Sequence, residues 1–529
     1  MNKRDDLDAP STVLVTGAAG GLGVHLVCLL AEAGWQVHAF DQHSPDDVGR
    51  GPLVDHGDNI SWHIGPGMDS EFRHLLKKCD VVVHAAGITS LSAPEAELVA
   101  ANHNLALRLF RLATEAGNVE HFVYLSCASV YQTDIRVRTE ASPTEAKNAF
   151  EKSKLTAEEA LHSQAEIADG APDLTILRLG LLYGPGCTTM GAGLIPLPAI
   201  LRDVSRYLPG LAGGPRTNWC HVRDAAAAVD LVLRHRDGRG RVFNVVDETA
   251  LSFGEIVTSI IEAYDIDLGP SVRIPGFVLW PLLGPLLDND AAFERMRAFL
   301  QFLWRRVQRS HGIESPLTPR LNRDALFYAR DDSIVVADAL RDLGWRPRWA
   351  DFRQGIAETV RWYQDHGWAP RFDRDSLVER RDASPRSRLH YNQTLAGELA
   401  DGDARPLQLT LEVSWPSVPW PPTGGEGRLH GTLRVPGLAE GSPIRGTLQM
   451  KWLPRPRIIY EFGFRDLNDQ ACRFRGIRRL DTQTPLATLR RVDATLIDRF
   501  GETIGSCVLH NTEGPWAFGA QTEQDDTAR

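Results

Sequence analysis

The sequence predicts a doubly wound α/β fold with a parallel sheet and a small substrate lid, followed by a C-terminal antiparallel β domain. Three observations carry this reading. The apolar run Val13-Leu14-Val15-Thr16 feeds a glycine-rich turn, Gly17-Ala18-Ala19-Gly20-Gly21-Leu22-Gly23, that opens directly into a helical pattern from Val24 to Ala33. Strand-like and helix-like segments then alternate from residue 12 to residue 180, the order that puts helices on both faces of a parallel sheet. Beyond residue 388 apolar and polar residues alternate with a period of two in short runs separated by turn residues, the texture of an antiparallel sandwich or small barrel.

The glycine turn is built for an anionic ligand. Gly17 permits a tight turn, Gly20 lets phosphate approach the backbone N–H groups, and Gly23 allows close packing of helix on strand. The free N–H groups and positive end of the following helix complete a dinucleotide pyrophosphate site. The next strand, Trp35 to Phe40, ends in Asp41, 18 residues past Gly23, where a carboxylate accepts both ribose hydroxyls and repels a 2′-phosphate. The expected cofactor is therefore NAD, with NADP less favoured. Ile60 to Ile64 reads as a third strand, Ser70 to Lys78 as a helix, and Val81-Val82-Val83-His84-Ala85-Ala86-Gly87 as a central strand buried on both faces. Asn102 falls in a long amphipathic helix from Glu95 to Ala116, and His121 to Cys127 forms the next strand.

Bulk properties set limits. At 529 residues the chain exceeds one core and implies two or three domains. A net charge of −10 offers no general attraction to nucleic acid, and nucleic-acid partners are not expected. Seven scattered cysteines without a C-x-x-C pair favour reduced thiols, and Met1 to Pro10 lacks an apolar signal core, so a cytoplasmic location is expected. The histidines lack metal-ligand spacing, so no metal is expected.

The ordered motifs resemble the extended short-chain dehydrogenase/reductases, the group with NAD-dependent epimerases and dehydratases and the 3β-hydroxysteroid dehydrogenases. The resemblance rests on Thr16 to Gly23, His84 to Gly87, Asn102, Leu125-Ser126 through Val130-Tyr131, Ser153-Lys154, Leu177-Arg178 through Tyr183-Gly184-Pro185-Gly186, and His221 to Asp224. It covers about residues 10–368 and implies a Rossmann-like cofactor domain, with cofactor contacts from Gly17, Gly20, Gly21, Leu22, Gly23, Asp41, Ala85, Ala86, Gly87, Asn102 and Lys154.

The same resemblance implies a Tyr-x-x-x-Lys pair with a Ser or Thr as proton-handling machinery. Lys154 matches, but Phe150 occupies the tyrosine position and Cys127 the hydroxyl position, with Ser126 and Ser129 beside it. Phenylalanine carries no proton and a thiol is a weak donor. The candidate catalytic set is Lys154, Cys127 and Ser126; Tyr131 and Tyr183 are candidate substitute donors, and Glu151 and Lys152 should face away from the pocket. Pro66, Leu179 and Leu181 depart from the family pattern at positions near adenine and nicotinamide.

Leu194 to Pro209 resembles the family's flexible substrate loop, and His221 reads as a packed histidine. The apolar, aromatic stretch 274–307, ending in Arg305-Arg306, suggests a wall for a lipid-like substrate or a peripheral membrane contact. The expected organisation is residues 1–368 for cofactor and substrate, a linker at 369–388, an all-β sandwich or barrel at 389–520, and a disordered tail at 521–529. Two functional expectations follow: an NAD-linked oxidoreductase-type scaffold for a hydroxyl or carbonyl substrate such as a sterol-like or other lipid alcohol, or a catalytically silent NAD(H)-binding sensor. A nucleotide-sugar epimerase or dehydratase is a further alternative. The β domain is expected to bind lipid or a partner, to complete the first domain's surface, or to support a homodimer.

Overall fold

In the computed structural model the described residues are 11–54, 57–67, 70–91, 93–188, 190–204, 208–266, 268–273, 290–319, 332–372, 389–401, 404–415, 425–451, 457–479, 491–498 and 502–512. They fall into two compact units, one ending at Phe372 and the other beginning at Leu389.

The first unit is organised by seven parallel strands: β1 (Thr12–Thr16), β2 (Gln36–Asp41), β3 (Ile60–Ile64), β4 (Val81–His84), β5 (His121–Cys127), β6 (Asp173–Leu179) and, later in the chain, β9 (Val242–Val245). Their order is β9-β6-β5-β4-β1-β2-β3. Two cores flank the sheet, and period-two alternation divides each central strand between them. Val13, Val15, Val81 and Val83 join one core, while Leu14, Val82, Phe122 and Tyr124 join the other. The helix α1 (Gly23–Glu32) covers the first face; α2 (Ser70–Leu76), α3 (Leu105–Ala116) and α4 (Ala149–Ile167) supply the second. The order in which strands are added reverses between the parallel neighbours β1 and β4, so their carboxyl ends open the crevice where ligands bind in such sheets.

Three sequence expectations need correction. Alternation read to residue 180 misses a strand, because β9 comes from the stretch expected to serve the lid and pairs with β6 through Val242↔Ile176 to Val245↔Leu179. Only a long crossover can deliver such a parallel strand, and local period says nothing about it. The long helix around Asn102 is interrupted by a π-helical turn, Val99–Asn104. The Leu194–Pro209 stretch contains a helix, Pro196–Val204.

Two further strands, β7 (Leu181–Tyr183) and β8 (Trp219–His221), pair in parallel beside the sheet, and α5 (Val222–Arg234) follows. Of the 274–307 stretch, residues 274–289 lie outside the described residues. The rest lies in α6 (Asp290–His311), where Trp304 is buried and donates from Nε1 to the Leu317 carbonyl at 2.7 Å, while Phe299 and Phe302 are exposed. Among the described residues no helix is long and apolar enough to cross a membrane.

The second unit is a closed barrel, which decides between sandwich and barrel. Its strands are β10 (Leu389–Ala400), β11 (Arg405–Trp415), β12 (Gly425–Val435), β13 (Ala439–Lys451), β14 (Arg457–Arg465), β15 (Ala471–Arg479), β16 (Arg491–Ile497) and β17 (Thr503–Asn511). Each pairs antiparallel with the next, and β10 closes on β17 through Leu395↔Asn511 to Ala400↔Ser506. Along β11, Leu407, Leu409, Leu411 and Val413 are buried and alternate with exposed residues. Closure leaves no unpaired sheet edge.

Candidate functional site

The glycine turn and the end of β4 touch at the crevice. Gly17 has φ 73°, and a Cβ there would stand 2.6 Å from the Ala86 amide nitrogen. That contact needs a residue without a side chain, and it locks Ala85-Ala86-Gly87 against the turn. A Cβ on Gly23 would drive into the Gly17 carbonyl oxygen, so α1 can start this close to β1 only with glycine. Leu22 occupies the N-cap of α1 and offers no side-chain acceptor, and the first turn carries no acidic residue. This leaves the positive helix end directed at the crevice.

Asp41 closes the turn from the β2 side. Its Oδ2 accepts from the Ala19 amide at 3.0 Å and its Oδ1 from the His43 amide at 3.1 Å. Arg50 was not singled out from sequence, and no local pattern marks it. It donates from Nε to the Gly186 carbonyl at 2.9 Å, from Nη1 to the Ala19 carbonyl at 3.3 Å, and from Nη2 to Thr188 Oγ1 at 3.1 Å. One buried guanidinium thus ties the glycine turn to the Tyr183–Gly186 motif.

Asn102 is fully buried: Oδ1 accepts from the Ile88 amide at 2.8 Å, and Nδ2 donates to the Ile88 carbonyl at 3.0 Å and to Ser153 Oγ at 2.9 Å. This amide clamps the loop after β4 to α4, and it does so from the π-turn, where such widened turns place functional side chains. On α4, Lys154 donates from Nζ to the Leu125 carbonyl at 2.9 Å and lies 5.0 Å from the Tyr124 ring centroid. A Cβ on Gly87 would come within 3.6 Å of that Nζ, which places Lys154 at the carboxyl ends of β4 and β5. Burial draws its pKa down to about 8, with Cys127 and Glu158 acting in the opposite sense.

Phe150, four residues earlier on the same helix, is buried in an apolar cluster with Leu91, Leu98, Cys127 and Val130. Burial pushes the Cys127 thiol up to about 12, only partly opposed by Ser129 Oγ donating to its sulfur at 3.3 Å. A thiol so held is no nucleophile at neutral pH.

The candidate substitutes are engaged elsewhere. Ser126 donates to Glu158 Oε1, and Glu158 holds Arg178 in a buried ion pair at 2.6 Å. Tyr131 donates to Asn244 Oδ1 at 2.7 Å with the Arg178 guanidinium 4.9 Å from its ring centroid. Tyr183 donates to Asp247 Oδ2 at 3.3 Å and packs against His221 and Phe352. Glu151 does not face solvent: it is fully buried and accepts from the Lys147 amide at 2.7 Å through Oε2, because α4 also packs on the segment after β5. Lys152 does face out, in an exposed pair with Glu95. His221 is packed, capping α5 by accepting from the Arg223 amide at 3.3 Å and stacking on Trp349 at 3.9 Å.

Residues 13–245 match the NAD dependent epimerase/dehydratase family. The chain is 25% identical over 372 residues to the uncharacterized protein YbjS of Escherichia coli K12, covering 68% of this chain and 99% of that protein. It is 25% identical over 367 residues to a 3 beta-hydroxysteroid dehydrogenase/Delta 5-->4-isomerase of Mycobacterium tuberculosis, covering 66% and 90% respectively. A solved UDP-glucuronic acid 4-epimerase from Bacillus cereus in complex with NAD superposes with a TM-score of 0.50 at 15% identity, over 67% of this chain and 99% of that one, a likeness that concerns the fold alone. The sheet order, the motif series gathered around one crevice and the family match make the first unit an extended short-chain dehydrogenase/reductase of the NAD dependent epimerase/dehydratase family.

Proposed function

We propose that the first unit binds NAD(H) together with an apolar molecule bearing a hydroxyl or carbonyl group, such as a sterol-like or other lipid alcohol. The glycine turn and the start of α1 take the pyrophosphate, and Asp41 takes the adenosine ribose hydroxyls, which favours NAD over NADP. Ala85, Ala86 and Gly87 flank the cofactor, and Asn102 fixes the loop on which they sit. Lys154 donates to the nicotinamide ribose. The cofactor, when bound, supplies a hydride acceptor or donor.

The observation that carries this reading is the pairing of Lys154 with Phe150 at the head of α4. An ammonium is kept at the crevice while the neighbouring position has become apolar, and Leu91, Leu98 and Val130 extend that apolar wall. Such a wall suits a lipid-like body better than a sugar. Relatives named as 3β-hydroxysteroid dehydrogenases support the same choice. With Ser126, Tyr131 and Tyr183 engaged in their own hydrogen bonds, proton delivery rests on Lys154, whose pKa near 8 suits it to exchange a proton with a water at the substrate oxygen.

A second reading, a catalytically silent NAD(H)-binding sensor, is favoured by Phe150 and by the inert Cys127.

Calorimetry and NADH production separate these readings. Wild type is expected to bind NADH in the micromolar range, roughly as cofactor sites do. Steady NADH formation from a 3-hydroxysteroid that Lys154→Met abolishes supports the oxidoreductase. NADH binding without turnover of any alcohol, restored by Phe150→Tyr, supports the silent reading. No heat with NADH or NADPH overturns both.

A further inference from the structure

The β-barrel buries a charge that meets no counter-ion among the described residues. On β15 the inward row is Cys472, Phe474, Gly476 and Arg478, alternating with exposed residues and the half-buried Ile477; Arg478 is 7% exposed. Its Nε and Nη2 meet no hydrogen-bond partner. Its neighbours among the described residues are aromatic or neutral. The guanidinium lies 5.5 Å from the Tyr460 ring centroid, Tyr460 donates its hydroxyl to Gln393 Oε1 at 3.4 Å, and Ile458 stands opposite Arg478 in the β14–β15 register.

The two bare donors are adjacent on one edge of the planar fork, the edge that matches the two oxygens of a carboxylate. The same chain shows that edge filled. Arg178 donates from Nε to Glu158 Oε2 at 3.1 Å and from Nη2 to the same oxygen at 2.6 Å, with a further Nε contact to Oε1 at 3.2 Å. A buried arginine stays charged, and leaving it without a counter-ion is strongly unfavourable. An eight-stranded barrel is wide enough to be filled by side chains or to hold one small ligand.

We propose that the barrel binds an organic carboxylate, its anionic group paired to Nε and Nη2 of Arg478 and its apolar chain against the partly buried Ile458 and Tyr391 beside it. The apolar body follows from these flanking side chains, since Leu395, Leu409 and Phe474 deeper in the barrel are sealed; only a ligand that also buries hydrocarbon recovers the cost of removing its carboxylate from water. Tyr460 and Gln393 form the polar margin of the head-group position.

The test is calorimetric titration of the full-length protein with dodecanoate, dodecanol and acetate, followed in parallel by tryptophan fluorescence. The expected result is saturable binding of dodecanoate, weakened at least ~10-fold by Arg478→Leu, as expected for loss of charge-assisted hydrogen bonds. Wild type should bind dodecanol at least ~10-fold more weakly than dodecanoate, while Arg478→Leu should lose that preference. Equal binding of dodecanoate by both proteins, equal binding of dodecanoate and dodecanol by wild type, or acetate binding as well as dodecanoate overturns the proposal. If Arg478→Leu does not fold, Arg478→Lys keeps the charge but not the fork, and a preference of wild type for dodecanoate over dodecanol that Arg478→Lys reduces decides in favour.

Discussion

Lys154 and Phe150 share one face of α4, one turn apart, and both are buried, yet they meet opposite chemistry. Lys154 extends to the Leu125 carbonyl at 2.9 Å at the crevice, while Phe150 is sealed among Leu91, Leu98, Cys127 and Val130. A crevice that keeps the cation and lacks the tyrosine hydroxyl is the arrangement on which the proposed function rests. Its variants should behave accordingly.

Lys154 gives a pH signature. Its pKa falls from about 10.5 unfolded to about 8 folded, so between these values the unfolded chain binds more protons and stability rises with pH. Below pH 8 both states are protonated and the burial penalty is fully present. Lys154→Met lacks this rise, so the stability difference between the two proteins should change by on the order of 3 kcal/mol across the window. Urea unfolding at pH 7, 8, 9 and 10 measures it; parallel profiles would show that Lys154 is not desolvated.

Asp247 predicts the opposite slope. Burial and the nearby Asp224 raise its pKa to about 8, while Tyr183 donating to Oδ2 acts against them, and Oδ1 has no partner. The folded state therefore binds more protons between about pH 4 and 8, and stability falls as pH rises through that range. Asp247→Asn, which mimics the neutral acid, should be flatter over pH 5–8 in thermal melts.

Asp41 should set cofactor choice. It accepts from the Ala19 and His43 amides at the end of β2, and in the proposed cofactor pose its carboxylate meets the ribose edge that a 2′-phosphate would occupy. Asp41→Ser is expected to shift the NADH-to-NADPH affinity ratio toward NADPH by at least ~10-fold, about the effect of one lost charge–charge repulsion at a half-buried site. An unchanged ratio would place the adenosine ribose elsewhere.

Glu158 joins two elements, bonding Ser126 on β5 and Arg178 on β6 from α4. Glu158→Gln leaves a buried guanidinium without its counter-ion and should cost about 3–5 kcal/mol. Denaturant midpoints of the first unit report the loss; a cost below about 1 kcal/mol would mean that water solvates Arg178, as at exposed pairs.

Gly17 adopts φ 73° against Ala86, so Gly17→Ala adds both backbone strain and a clash. A loss of at least about 1–2 kcal/mol is expected, together with loss of NADH binding. Retention of both would mean that the turn yields more easily than its packing implies.

Local chemistry determined much of this protein. The glycine spacing, the carboxylate at Asp41 and the buried runs of β1 and β4 are statements about neighbours in sequence, and so is the replacement of a tyrosine by Phe150 four residues before Lys154. The period-two texture beyond residue 388 likewise announced an antiparallel β unit. Tertiary structure decided what depends on distant partners. Ser126, a candidate catalytic hydroxyl, is engaged by Glu158 from 32 residues away, and Tyr131 by Asn244 from 113 residues away. β9 joins the sheet from beyond the cofactor segment, and Arg50 reaches Gly186 across 136 residues. Closure of the barrel, and with it the burial of Arg478, depends on β10 meeting β17. Hydrophobic period reports which face of an element is buried, but which polar group it meets there is fixed only when the chain closes around it.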